Sequence, residues 1–155
     1  MSFEVCVIFV CLLGAYEYLT KKSSGYDTRV SRLFIDYNAR MKTDPIESAS
    51  VTGYSISNAI EALELFGTCL EGMWPYDVSN VNIRPSAEAY EQAENHQINK
   101  ALKIDIDLHE MRSCLAQGFP FVFALRLFAS FERAAKNGVV VVPRGWEQEQ
   151  QSSDM

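Results

Sequence analysis

The sequence predicts one α+β domain in which helices come first and short strands follow. Three segments in the first half have the composition or spacing of helices, and three short runs in the second half have the alternation or β-branched content of strands. This segregated order is typical of the α+β class. The chain has 155 residues, 48% of them hydrophobic and 22% charged, which suffices for one domain with a substantial core.

The most apolar segment, residues 3–22, is predicted to be a buried central helix. Within 5–15 no side chain is charged or strongly polar apart from two thiols, and a helix that is apolar all round lies in a protein core or in lipid. The run is shorter than the roughly 20 residues that a membrane span needs. A secretory signal is an alternative, since Gly14 begins a pair of small residues, although the first charge is Glu4 rather than a basic leader. A small membrane-anchored domain that uses 5–15 is a further alternative.

Two amphipathic helices are predicted to cover this segment. The first spans 32–42 after Ser31, whose hydroxyl can accept a hydrogen bond from a free amide of the first turn. The second spans 56–66 and is followed by Gly67, which readily ends a helix in a left-handed conformation. The apolar residues of both faces recur every three or four positions. They are Leu33, Phe34, Tyr37 and Met41 in the first helix and Ile56, Ala59, Ile60, Leu63 and Phe66 in the second.

The middle of the chain predicts a pinned loop, a short helix and a strand. The loop contains Trp-Pro-Tyr at 74–76, where proline forces its predecessor out of helical geometry and the aromatic side chains favour docking onto the body of the protein. The helix spans about 85–95, with Ala89, Tyr90 and Ala93 on its inner face. The segment 102–106 alternates apolar and charged residues, a period of two that indicates a half-buried strand.

A further helix is predicted after Asp107, which has Glu110 three residues on in the pattern of a capping box. Its expected buried face is formed by Met111, Cys114 and Leu115, and Gly118 is expected to end it.

The remaining chain predicts strands and a tail. The apolar segment 120–127 and the β-branched segment 139–142 are expected to lie in one small antiparallel sheet, with a short helix at 129–136 between them. After Pro143 the chain is polar, so we expect a domain at 1–143 and a disordered tail at 144–155.

Composition excludes several classes of function. Fourteen basic and twenty acidic residues give a net charge of −6, which argues against a nucleic-acid surface. The four cysteines form no Cys-x-x-Cys pair, so we expect no metal site. Their sparing use favours a reduced cytosol over an oxidising compartment.

Several segments together resemble the papain-like cysteine peptidases, in particular the compact microbial-type branch. The resemblance covers about residues 12–143 in order, and it implies a papain-like fold of which this chain holds the helical lobe and part of the antiparallel sheet. The segments that carry it are 31–40 (SRLFIDYNAR), 53–66, the Trp-Pro-Tyr landmark at 74–76, 85–91, 107–132 with Cys-Leu-Ala-Gln-Gly-Phe-Pro at 114–120, and 138–143.

The resemblance also indicates where a nucleophile would stand. In that family the catalytic cysteine lies at the N-terminus of the first long helix, where the helix dipole and a histidine lower the pKa of its thiol. Residues 14–19 resemble the later part of that helix, which puts the nucleophile close to Val7 and makes Cys6 the nearest thiol. The family's Gly-Ser lead-in is missing before Cys6, and its oxyanion glutamine would fall at or before Met1.

The family's histidine and asparagine lie roughly 130–150 residues after the cysteine. No histidine occurs in that window, because the last one is His109. We expect His109 to be exposed in the first turn of its helix and His96, in a polar stretch, to be solvated. Asn137 has the ordinary role of a residue before a turn glycine. We therefore expect little or no catalysis by this chain alone.

The resemblance thus implies a cysteine-type peptidase that acts on peptide or protein substrates without a cofactor, inactive or incomplete in this chain. A non-catalytic peptide-binding module derived from a peptidase is the alternative. The family's glycine at the position of Gly53 lets substrate backbone approach closely, although Gly53 equally suits a simple turn. We also expect self-association through uncovered strand edges and apolar surface.

Overall fold

The helices follow the order that the sequence predicts. A computed structural model describes residues 3–43, 56–123, 138–139 and 142. The chain divides into the units Met1–Phe123 and Ala124–Met155, and all described helices belong to the first. These are α1 (Phe3–Ser24), α2 (Arg32–Thr43), α3 (Ile56–Phe66), α4 (Ala87–Ala93) and α5 (Leu108–Ala116), with short 3-10 turns at Val78–Asn80 and Glu94–His96.

The core forms where α2 and α3 pack together, with α1 lying against both. Phe34 of α2 and Leu63 of α3 are fully buried, and each such side chain stabilises the fold by roughly 1.5–3 kcal/mol relative to exposure. Leu13 of α1 completes this contact. The ring of Tyr90 on α4 lies 4.9 Å from that of Phe34, which joins the fourth helix to the same core.

Ser31 caps α2 and holds a loop at the same time. Its Oγ accepts a hydrogen bond of 3.1 Å from the backbone amide of Phe34, as predicted. The same hydroxyl donates to the carbonyl oxygen of Trp74 at 2.6 Å. Trp74 is half-buried against the core, so the loop at 74–76 is pinned, whereas Tyr76 is exposed.

Gly67 ends α3 in the left-handed conformation predicted for it, with φ at +69°. A Cβ on this residue would lie 2.0 Å from the carbonyl oxygen of Ala93. The position therefore needs glycine for its backbone angle and also for the close approach of α4.

A buried ion pair fixes the segment that precedes α4. Asp36 and Arg40 stand one turn apart on α2, with Arg40 Nε 3.0 Å from Asp36 Oδ2. The guanidinium also donates to Asn82 Oδ1 at 2.7 Å and to the carbonyl oxygen of Val81. Burial raises the pKa of the Asp36 carboxyl, and the charge of Arg40 opposes that rise.

Helix α1 is less buried than its composition predicts. Within 11–24 only Leu12 and Leu13 are buried, while Cys11, Gly14 and Tyr18 are exposed. The prediction of a helix enclosed on all sides is therefore wrong for this part of α1, because α2 and α3 cover one side of it.

The predicted strand at 102–106 is also wrong. These residues have no regular secondary structure, and Leu102 and Ile106 are 76% and 98% exposed. An alternating pattern becomes a strand only when a neighbour supplies backbone partners. Within the described ranges, β-type pairing consists of one isolated antiparallel bridge, between Val30 and Leu70, and it does not involve 102–106.

Helix α5 begins as predicted but buries nothing. Asp107 Oδ1 accepts from the amides of His109 and Glu110 at 2.9 and 3.0 Å, which confirms the cap. Glu110 reaches the amide of Asp105 instead of closing a capping box on Asp107. The predicted buried face is wrong, since Met111 and Cys114 are half-buried and Leu115 is exposed.

Few of the residues in the predicted C-terminal strands, helix and tail are described. Residues 120–123 are irregular, and so are Val139 and Val142, both of which are exposed. The rest of the predicted strands at 120–127 and 139–142, the helix at 129–136 and the tail at 144–155 lie outside the described residues. The fold seen is therefore the helical lobe.

Candidate functional site

The N-terminus of α1 is the position at which the sequence places a nucleophile. The helix begins at Phe3, so Cys6 is its fourth residue. The first turn of a helix presents unpaired amides and a partial positive charge, which favour a thiolate there. The structure does not describe the side chains of residues before 11, and Gly53 lies outside the described residues.

Cys69 has the wrong surroundings for a nucleophile. The thiol is fully buried in the core, and burial raises its pKa to about 11, with a hydrogen bond to Ser31 acting in the opposite direction. A nucleophile needs a thiolate and access, and Cys69 has neither.

The remaining described thiols lie away from the start of α1. Cys11 is exposed on the middle of that helix, and Cys114 lies near the end of α5 with its Sγ 3.4 Å from the carbonyl oxygen of Phe119. The C-terminal end of a helix disfavours an anion. Cys6 therefore stays the candidate nucleophile.

His96 packs against the flank of α1. The prediction from the sequence that this side chain is solvated is wrong. Its Nδ1 lies 3.3 Å from the hydroxyl of Tyr16, and the ring is half-buried. Tyr16 is ten residues beyond Cys6, which corresponds to about 15 Å along the helix axis. The structure thus brings an imidazole to α1, at a site far from the helix start.

His109 is exposed, as predicted. Its backbone amide takes part in the cap of α5, and α5 packs against no other described helix extensively. The described hydrogen bonds of the two histidines are thus made to Tyr16 and to Asp107, neither of which lies in the first turn of α1.

Two contacts of this lobe escaped the sequence analysis. The Tyr16–His96 pair joins residues that are 80 positions apart, and no local pattern signals such a contact. The Asp36–Arg40 pair has a local signal, the spacing of four residues on a helix. The contacts of Arg40 with Val81 and Asn82 join residues 41 and 42 positions apart in the sequence, and no local pattern signals them.

Two further classes of site are absent from the described part of the chain. No cluster of three or more His, Cys, Asp or Glu side chains there is arranged to hold a metal ion. None of its helices combines the length and hydropathy required to span a membrane.

Comparison with known proteins gives the family relationship. No protein-family model matches the chain. It is 35% identical over 146 residues to an "uncharacterized peptidase C1-like protein" of Acanthamoeba polyphaga mimivirus, a match that covers 87% of this chain and 46% of the relative. The crystal structure of xylellain, a cysteine protease from Xylella fastidiosa, superimposes with a TM-score of 0.63 at 26% identity, covering 74% of this chain and 47% of xylellain.

The chain thus spans about half the length of each of these relatives. The sequence match and the structural match agree on one family. The family resemblance seen in the sequence is confirmed. This chain is related to the papain-like, C1-like cysteine peptidases.

Proposed function

We propose that this chain contributes the helical lobe of a papain-like cysteine peptidase domain and does not hydrolyse peptide bonds by itself. Hydrolysis by this chemistry needs a thiolate and an imidazole within hydrogen-bond reach of each other. The imidazole activates the thiol and later protonates the leaving amine.

The position of His96 carries this proposal. The ring contacts Tyr16 on the flank of α1, about 15 Å along the axis from Cys6. His109 is exposed on α5. In this proposal the two histidines are occupied elsewhere and leave Cys6 with the helix dipole alone, which does not make a working acyl-transfer site.

The substrate class that the family relationship supports is a peptide or protein. In this proposal Gly53 admits the substrate backbone, because a residue without a side chain allows a close approach. The function needs no cofactor, since nucleophile, base and oxyanion donors are all protein groups.

A peptidase assay tests the proposal. Purified chain is incubated with fluorogenic peptides that carry a coumarin leaving group, alongside Cys6→Ala and Cys11→Ala. We expect all three proteins to give the same background rate. Turnover that disappears in Cys6→Ala and persists in Cys11→Ala would contradict the proposal.

A peptide-binding module without catalysis is the second candidate, and the packing of the lobe is compatible with it. The polar groups around Asp36, Asn38 and Arg40 are engaged by neighbouring elements, with Tyr90 donating to Asn38 Oδ1 at 2.8 Å. A lobe with this much internal order can hold a binding surface without chemistry.

Fluorescence anisotropy with labelled peptides tests the binding candidate. Saturable binding without cleavage is expected, and Gly53→Ala should weaken it. The control is Gly14→Ala, since Gly14 is exposed on α1 and nothing lies within 4 Å of a Cβ added there. Equal affinities for the two variants would remove Gly53 from the binding surface.

A further inference from the structure

We propose that residues 99–121 form a strap that opens by local unfolding as one unit while α1 to α4 stay packed. The strap comprises the irregular segment after Ile98, helix α5 and the turn that follows it. It lies in 94–123, the longest stretch of the described residues in which no side chain is buried. Segments with few buried apolar contacts open at a fraction of the free energy of global unfolding.

The strap is held at two ends. Ile98 before it and Val122 after it both pack against the core cluster, partly buried. Between these points no apolar side chain is fully buried, and Leu102 and Ile106 are the most exposed. The two packed residues therefore define where the opening begins and ends.

Polar tethers attach the strap to the helices. Among the described residues, two hydrogen bonds make this attachment. The amide of Ala101 donates to Glu64 Oε1 on α3 at 3.0 Å, and Lys22 Nζ on α1 donates to the carbonyl oxygen of Gly118 at 3.1 Å. The Lys22 ammonium also lies 5.8 Å from the centre of the Phe119 ring. The Lys22 bond is exposed and the Ala101 bond is only partly buried, so both are weak, since water competes for their partners.

Internal bonds make the strap cooperative. Asp107 caps α5, Glu110 accepts from the amide of Asp105 at 3.2 Å, and the amide of Phe119 donates to the carbonyl of Cys114 at 3.1 Å. A helix of nine residues is marginal in water without support from the protein body. Once the tethers release, α5 should therefore unfold together with the segments on both sides of it.

Hydrogen exchange of the full chain tests this without any mutation. We expect amides of α5 to exchange faster than those of α2 and α3, with a weaker dependence on urea, because a small opening exposes little surface. Brief trypsin treatment should cut after Lys103 or Arg112 before it cuts within α2. Equal protection and equal urea dependence in α5 and α2 would overturn the proposal.

Two matched variants test the tether. Lys22→Ala should speed exchange in the strap about fivefold, the effect of one weak hydrogen bond, and leave α2 and α3 unchanged. Lys21→Ala is the control, because Lys21 pairs with Asp27 at 2.7 Å instead of the strap. If Lys22→Ala accelerates exchange in α2 and α3 by the same factor, the strap belongs to the global unit and the proposal is wrong.

Discussion

The hydroxyl of Tyr16 lies 3.3 Å from Nδ1 of His96, on the flank of α1. The contact ties the 3-10 turn after α4 to the first helix. Because it engages the imidazole in the middle of α1, it also separates the only half-buried histidine of the described residues from the helix start. The lobe thus uses this histidine for packing, at a distance from the position where a nucleophile would need a base.

Removing the Tyr16 hydroxyl should weaken the fold modestly. Tyr16→Phe is expected to lower the free energy of unfolding by about 0.5–1.5 kcal/mol, the net value of one hydrogen bond. Urea unfolding of Tyr16→Phe, His96→Ala and the double variant measures the coupling. The double variant should lose less than the sum of the single losses. Strict additivity, with the exposed control His109→Ala unchanged, would show that the contact contributes nothing.

Gly67→Ala should be strongly destabilising. The left-handed backbone angle and the 2.0 Å approach to the carbonyl of Ala93 both oppose a Cβ, and we expect a loss of roughly 2–3 kcal/mol. Gly25→Ala separates the two causes, since φ is +80° there but nothing lies within 4 Å of the added atom. Gly25→Ala should lose only about 1 kcal/mol. Equal losses at both sites in urea unfolding would mean that α4 yields to the new side chain.

Arg40→Ala should cost about 3–5 kcal/mol, because it leaves the buried carboxylate of Asp36 without its partner. It also removes the bonds that hold Asn82 and Val81 on α2. The exposed pair Lys21–Asp27 offers the comparison, and Lys21→Ala should change stability by less than about 1 kcal/mol. Thermal and urea unfolding of both variants measure the difference. A small loss in Arg40→Ala would show that water solvates Asp36 readily.

Cys69 should resist thiol reagents until the protein unfolds. With a pKa of about 11, roughly one thiol in a thousand is ionised at pH 8. In the unfolded chain the same thiol ionises near its ordinary pKa of about 8.5, so its contribution to stability is complete below that pH and is lost as the pH rises toward 11. Mass spectrometry after brief alkylation at pH 8 should find Cys11 modified and Cys69 intact. Early modification of Cys69 would contradict its burial.

Local signals predicted the helices well. Ser31, Gly67 and Asp107 each act within a few residues of their own position, and each ends or begins a helix as expected. Burial was harder to predict, because it depends on which elements meet. The alternating residues at 102–106 have the pattern of a strand, but no described strand lies beside them.

In the candidate site, too, local features were predicted from the sequence and tertiary contacts were not. A family resemblance in the sequence located the helix that would carry a nucleophile, and Cys6 lies in that helix. The position of His96 came from the tertiary structure alone, since its partner Tyr16 is far away in the sequence.

The most direct test of this account is labelling of Cys6 by an epoxide that alkylates activated thiolates. Wild type, Cys6→Ala and Cys11→Ala are treated together with papain as a positive standard, and adducts are located by peptide mass spectrometry. Because a thiol without a base partner is a poor nucleophile, we expect no stoichiometric labelling of Cys6 in the time that papain is fully modified. Rapid one-to-one labelling that is lost in Cys6→Ala and retained in Cys11→Ala would show an activated nucleophile and contradict the account.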